Sequence, residues 1–541
     1  MPLSTERGEL YPGDDLSVSE LLYAAKKKLR GFTFDSRIVT TMDPFEIGRL
    51  EQDTQEVLRL LRSIKNNFAP INRIPPELFS TIPQYRDKSC MDKSLIALTH
   101  VCQGWREVLT TYSSLWTRMD CTNAEKTRVY IKRSKSSPLE IALRENGVSR
   151  YQKDALLLVL PHISRVASIN VFGGRKLLQD FTETFSCPVP ILRHMVIRLS
   201  GHLTPVLWHK LFDGNLSSLC TLSIAGVIPR LPCESLSKLT TLLIPLFSRE
   251  SLTPLLDIFA NAPLLSEIKL GGIPDSYDAP PGRVVSLPCL KTFTICTDTQ
   301  PVWILLSHLI IPAGASLTMD LYLTRVESMF RKYIPNTFDN LQNISCISSI
   351  SLDFGGATAS LQLSGPSGGG LLIRGFRDWA SPQITDEVIL RSLDYFALSG
   401  TRRATVRMYK SKRPEAVDNA PHHILDVMKD LRTLFLNLCN NRHFILALNP
   451  DRNPSRSVVC PRLEEFIVYV EDYGALDFGE LTSMAEERAL RGARLRLIRV
   501  IHQGVLVPGA EAVRLREHVA HVDYRFVEGR PEWDSIPVDW E

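Results

Sequence analysis

No stretch of this 541-residue sequence approaches the ~18 consecutive apolar residues that a membrane-spanning helix requires. The longest candidates are Ala155 to Leu160 and Val302 to Ile311, the second interrupted by Ser307 and His308, so no membrane partner is expected. The opening Met-Pro-Leu-Ser-Thr-Glu-Arg has no basic segment followed by an apolar one, which excludes a secretory signal and sets a cytoplasmic or nuclear location as the expectation. An excess of either charge is also missing. The 63 Lys and Arg nearly balance the 59 Asp and Glu, leaving +4, and no block of five or six like charges occurs, so no nucleic-acid partner is expected. The most basic runs, Lys26-Lys27-Lys28 and the Arg491/Arg494/Arg496/Arg499 spacing, read as solvated faces.

The 11 cysteines are odd in number and contain no CxxC pair, which argues against structural zinc and for reduced thiols. Cys220, Cys296 and Cys346 sit in apolar strand-like segments and are expected to be small buried hydrophobes. Catalytic motifs are equally sparse. Gly365-Pro-Ser367-Gly-Gly369 satisfies G-x-S-x-G, but Leu371-Leu-Ile-Arg follows where a helix would be needed, so a hairpin turn is the better reading of Ser367. His422-His423 has no metal-ligand spacing, and Gly173-Gly174 lacks a phosphate-binding continuation. No catalytic residue, metal or cofactor is expected, and the chain reads as a non-enzyme. Asn215-Leu-Ser217 and Asn343-Ile-Ser345 match the glycosylation triplet but read as polar loop residues.

What is present is a folding composition, 44% hydrophobic and 23% charged. Residues 1–43 are polar and punctuated by Pro and Gly, the pattern of a flexible leader. In 44–69, Ile47, Leu50, Val57, Leu61, Ile64 and Phe68, with Thr54 as the polar member, alternate spacings of three and four. This predicts a helix with a heptad stripe that packs on the next domain, or else gives weak self-association through 47–68.

Residues 70–120 predict a compact helical unit. Pro75 and Pro76 suit a first helical turn, where Glu77 complements the positive end. Leu78, Phe79 and Ile82 share a face, and Pro83 ends the helix. A second helix carries Leu95, Leu98, Val101, Cys102, Trp105 and Val108, followed by Leu115-Trp116.

The succession Ile74-Pro75-Pro76-Glu77-Leu78, Leu98-Thr-His-Val101-Cys102-Gln-Gly-Trp105-Arg106 and Leu115-Trp116 resembles the F-box, with a longer loop between its helices than usual. The wider context resembles fungal F-box proteins that carry leucine-rich-repeat-like C-terminal regions. The resemblance implies a substrate receptor that docks on the Skp adaptor, and through it a cullin, of an SCF ubiquitin ligase. It implies adaptor contact at Pro75, Pro76, Leu78, Phe79, Ile82, Leu98, Val101, Cys102, Trp105, Leu115 and Trp116. Trp105 fits equally as core of a small helical domain, and the two roles are compatible.

Residues 121–186 read as a capping or linking segment. Through 187–505 an apolar-x-x-apolar-x-apolar pattern recurs, as in Leu219/Leu222/Ile224, Leu265/Ile268/Leu270 and Leu290/Phe293/Ile295. Starts 20 to 27 residues apart match leucine-rich repeats, although the residue that usually closes the strand is mostly missing, with only Cys439 in place. Segments around Leu352, Leu361 and Leu371 read as inserted hairpins, and 506–541 as a final helix, strand and tail. The expected fold class is thus α/β: a small helical F-box followed by an irregular leucine-rich-repeat solenoid. Alternation makes Ser223, Lys269, Thr294 and Ser351 candidate contacts for an unknown target protein. A repeat scaffold outside any ligase, with a structural F-box, is the alternative.

Overall fold

The computed structural model describes Tyr23, Lys26, Lys27, Arg30 and residues 43–81, 91–146, 149–150, 153–199, 212–213, 215–226, 236–247, 252–271, 282–297, 302–322, 340–354, 358–376, 390, 392–408, 420–438, 442–452, 457–470, 476–503 and 510–527. Most of the expected leader, together with Ile82 and Cys439, lies outside these. The chain divides into two compact units, Met1–Leu115 and Trp116–Glu541.

In the first unit, α1 (Pro44–Asn67) begins where an Asp43 carboxylate oxygen accepts the Phe45 N–H at 3.0 Å, with Pro44 in the first turn and Glu46 at the positive end. A 3₁₀ turn (Pro70–Arg73) follows. Then come α2 (Pro76–Thr81), α3 (Met91–Thr99) and α4 (Gln103–Thr111). The single helix expected from Leu95 through Val108 is two. Cys102 is extended (φ −156°, ψ 171°) and its sulfur accepts the Trp105 N–H at 3.5 Å, while Arg106 Nε donates to the Thr99 carbonyl at 2.9 Å. These two bonds satisfy the start of α4 and the end of α3, which makes the break cheap. Leu98 and Val101 therefore do not share a helix with Trp105.

The second unit is α/β, with a large, mostly parallel sheet. Its first strands are β1 (Arg118–Met119), β2 (Leu139–Asn146) with a short antiparallel return in β3 (Ser149–Arg150), and β4 (Val166–Gly173). Next come β5 (His194–Leu199), β6 (Thr221–Gly226), β7 (Thr241–Phe247) and β8 (Glu267–Gly271). Two short strands, β9 (Val285–Ser286) and β11 (Leu309–Ile310), pair with each other apart from the sheet. The main ladder continues through β10 (Thr292–Thr297), β12 (Ser316–Tyr322), β13 (Ser349–Phe354), β14 (Thr358–Ser364) and β15 (Gly370–Phe376). It ends with β16 (Arg403–Met408), β17 (Thr433–Leu438), β18 (Glu465–Val470), β19 (Leu497–His502) and β20 (His521–Phe526). Among the helices of the connections are α5 (Ala124–Ser134), α6 (Lys153–Leu157), α7 (Arg175–Thr184), α8 (Thr253–Ala260), α9 (Val302–Ser307), α10 (Ala420–Asp426), α11 (Arg442–Leu448), α12 (Phe478–Leu490) and α13 (Ala510–His518).

The recurring apolar triplets explain the ladder. Met195, Leu222, Leu242, Ile268 and Phe293 are direct cross-strand neighbours, each buried on one face of the sheet. Alternation aims the residues between them at the other face. Segment 121–186 is more than a cap: it places β2 and β4 in the same sheet, parallel to each other and in register with β5. β14 reverses direction, pairing antiparallel with both β13 and β15. β15 then lies beside β12 and β13 beside β16.

Several surface expectations change. Cys346 is exposed and Cys220 and Cys296 only half-buried, because Cys220 and Cys346 precede their strands and Cys296 follows an inward-facing Ile295; among the described residues Cys121 and Cys460 are the buried thiols. Asn343 is buried, its amide donating to the Gly370 carbonyl at 2.8 Å, and is not a loop residue open to solvent. Of the four arginines read as a solvated face, Arg494 and Arg496 are exposed and Arg491 and Arg499 half-buried, and all four have partners within the unit. Arg491 pairs with Asp451 and Glu487, and Arg494 donates to the Glu517 and His518 carbonyls. Arg496 pairs with Glu465 and Arg499 with Asp523.

Candidate functional sites

The helical segment presents an apolar rim for a simple reason: it has too few residues to cover its own side chains. Ile74 is extended ahead of Pro75, as the ring of a following proline requires, so the chain enters α2 at a turn. Pro76 opens α2, which packs beside α4. Leu78 is left 60% exposed and Val101, in the break between α3 and α4, 56% exposed. Pro75 and Pro76 are exposed too, whereas Leu98, Cys102 and Trp105 are half-buried. Phe79 lies within α2.

Trp105 is fixed from one side. Its indole N–H donates to the side-chain oxygen of Asn72 in the 3₁₀ turn, and the Asn72 amide donates to the Asn66 carbonyl at the end of α1. The last two residues of the implied adaptor set are placed differently. Leu115 and Trp116 are both buried, and Trp116 stacks edge-on against Tyr130 at 5.0 Å with the Arg133 guanidinium 4.2 Å over its ring. Both are covered and present nothing outward.

A second site lies on the face of the sheet opposite the apolar columns. Cross-strand register joins Ser223, Leu243, Lys269, Thr294 and Thr318 in one row, which passes through Leu372 and Gln362 to Ser351. The four target-contact candidates therefore share a row. Lys269 is exposed and Thr294 and Ser351 half-buried, but Ser223 is only 4% exposed and has little to offer a partner.

Two residues further along the same strands runs a row that single-position reading missed: Cys296, Asp320, Arg374, Ser360, Asp353, Arg407 and Asn437. Its charges are internally matched. Arg374 grips Asp320 through Nε at 2.7 Å and Nη2 at 3.0 Å, Ser360 donates to Asp353 at 3.0 Å, and Arg407 reaches Asp353 at 3.4 Å. Period-two counting from Thr318 and Ser351 would have reached Asp320 and Asp353. Cys296 donates to Asp320 at 3.7 Å, and partial burial, with the carboxylate beside it, raises the thiol above its ordinary range. That favours the protonated thiol over a reactive thiolate.

Beyond Asn437 the row becomes apolar. Tyr469 and Ile501 follow it, forming with Ile467 a buried cluster against which Phe435 and Val527 pack. The row thus runs from a charged stretch into an apolar one that is itself covered, and its accessible part is the charged stretch. Ser367 lies apart from both, exposed in the turn between β14 and β15, its hydroxyl donating to the Ala313 carbonyl at 2.7 Å. Among the described residues no cluster of His, Cys, Asp and Glu is placed to hold a metal ion, and no helix is long and apolar enough to cross a membrane.

No family model matches the chain, and no curated protein matches it.

Proposed function

We propose that the chain is a substrate-recognition subunit of an SCF-type ubiquitin ligase, with an F-box in 70–120 that docks on the Skp adaptor and a leucine-rich-repeat-like solenoid that holds a target protein. The observation that carries the reading is the exposure of Leu78 and Val101, with Pro75 and Pro76, on a helical segment bearing the F-box-like order of residues. Exposed apolar side chains on a small unit are what an obligate partner would cover. Leu98, Cys102 and Trp105 then act at the edge of the contact, and Leu115 and Trp116 act from within the fold. Successive parallel strands at short sequence intervals support the solenoid, and its open face would supply the target surface. Catalysis is then positional: a tethered target meets the ubiquitin-carrying enzyme at high effective concentration without a reactive residue on this chain.

The test is co-expression with a Skp adaptor and capture of wild type and of Pro76→Ala/Leu78→Asp. Stoichiometric capture of wild type alone supports the proposal; no capture by folded wild type removes it. Burial of Leu115 and Trp116 inside the chain favours a second reading, a repeat scaffold whose helical segment is structural. The two separate on whether a cullin copurifies and whether any bound protein gains ubiquitin.

A further inference from the structure

In α1 every residue from 44 to 60 is exposed, including Ile47, Leu50, Val57, Leu58 and Leu60. The expected packing of its heptad stripe on the next domain is not formed over these turns. An isolated helix is marginal in water, and seating an apolar stripe on a partner is the usual source of its stability. The distribution of charge says what that partner is. Residues 46–56 carry Glu46, Glu51, Asp53 and Glu56 against Arg49 alone, and residues 57–67 carry Arg59, Arg62 and Lys65 with no acid.

We infer that α1 pairs antiparallel with α1 of a second copy of this chain. Only the antiparallel arrangement lays each acidic half along a basic half; a parallel pair would oppose acid to acid and base to base. The spacing allows it, since core positions related by the two-fold axis set Ile47 opposite Ile64, Leu50 opposite Leu61 and Thr54 opposite Val57. Thr54 suits that central layer because its hydroxyl is already used, donating to the Leu50 carbonyl at 2.7 Å, which leaves its methyl for the partner. Dimerisation would give two copies of whatever each chain holds, and it does not depend on the adaptor reading.

Sedimentation equilibrium on the full chain tests this. Wild type should show a concentration-dependent rise to twice the monomer mass, and Leu50→Asp/Leu61→Asp should stay monomeric with unchanged near-ultraviolet circular dichroism. Reversing the basic half alone (Arg59→Glu/Arg62→Glu/Lys65→Glu) should abolish the dimer, and reversing the acidic half as well (Glu46→Lys/Glu51→Lys/Asp53→Lys/Glu56→Lys, with Arg49→Glu) should restore it. A wild type that remains monomeric, or instead needs another protein or a lipid surface to cover α1, overturns the inference. So does a half-reversed variant that dimerises as wild type does, because antiparallel charge matching would then play no part.

Discussion

The indole N–H of Trp105 donates to the side-chain oxygen of Asn72, 33 residues earlier, and Asn72 in turn reaches the end of α1. One polar side chain thus ties three pieces of the helical unit together. Asn72→Ala should cost about 1–2 kcal/mol, the usual loss for a part-buried donor left unpaired. Trp105→Ala should cost about 2–3 kcal/mol, less than a fully buried tryptophan because the ring is only half-buried. Urea denaturation of both single variants and the double variant would show the pair as a coupling near 1 kcal/mol.

Leu78→Asp should change stability by less than about 0.5 kcal/mol, since the side chain is 60% exposed and supports little packing. Adaptor capture should nonetheless be lost. A pull-down run beside a thermal melt separates the two effects, and a large drop in Tm would mean that Leu78 belongs to the core.

Arg488 is fully buried and donates to the Val459 and Cys460 carbonyls at 2.7 and 2.9 Å. Burial lowers it to about 10, so it stays charged at neutral pH. The turn it holds has Cys460 at φ 47°, a left-handed conformation that a side chain resists. Arg488→Met should destabilise the second unit by about 2–4 kcal/mol by leaving two carbonyls unpartnered. Chemical denaturation would measure it, and an unchanged midpoint would sink the assignment.

Asp523 sits between Arg499 and Arg525 at 2.8 and 2.9 Å. Burial alone would raise its carboxyl, but the two arginine hydrogen bonds outweigh that and hold it below the ordinary 3.8. Because the folded value lies below the unfolded one, the stabilisation is complete above pH ~4 and fades as pH falls through the folded value. Thermal melts of wild type and Asp523→Asn should differ at neutral pH and converge in acid; a constant gap would mean that packing accounts for the effect.

Gly271 follows Leu270 at the end of β8, where a Cβ would collide with the Pro245 carbonyl of β7. Since that oxygen is backbone and cannot swing aside, Gly271→Val should lower Tm by several degrees. Far-ultraviolet circular dichroism would follow it.

The parallel ladder was legible because its signal is local. Leu290, Phe293 and Ile295 announce β10 without knowledge of any other strand. The charged row was not, because Arg374 meets Asp320 across 54 residues and only pairing of β15 with β12 brings them together. The break at Cys102 escaped for a different reason. Val101 and Cys102 continue the helical spacing, and what restarts the helix as α4 is a thiol accepting a backbone N–H, a cap that periodicity does not register. Leu115 and Trp116 show the converse limit, since an apolar pair reads alike whether it faces a partner or Tyr130.

The reversed strand β14 bears on how the chain is made. Up to β12, each main-ladder strand emerging from the ribosome after β4 finds the preceding one as an open edge beside which to settle. β13 does not: its neighbours are β14 and β16, both still unsynthesised, while the seat next to β12 is reserved for β15. At roughly 5–20 residues per second, the 54 residues between Asp320 and Arg374 take several seconds to appear. For that interval the edge of β12 stands open until β15 arrives, while β13 has only its hairpin partner β14 to pair with, which makes this the stretch of translation where a chaperone would matter most.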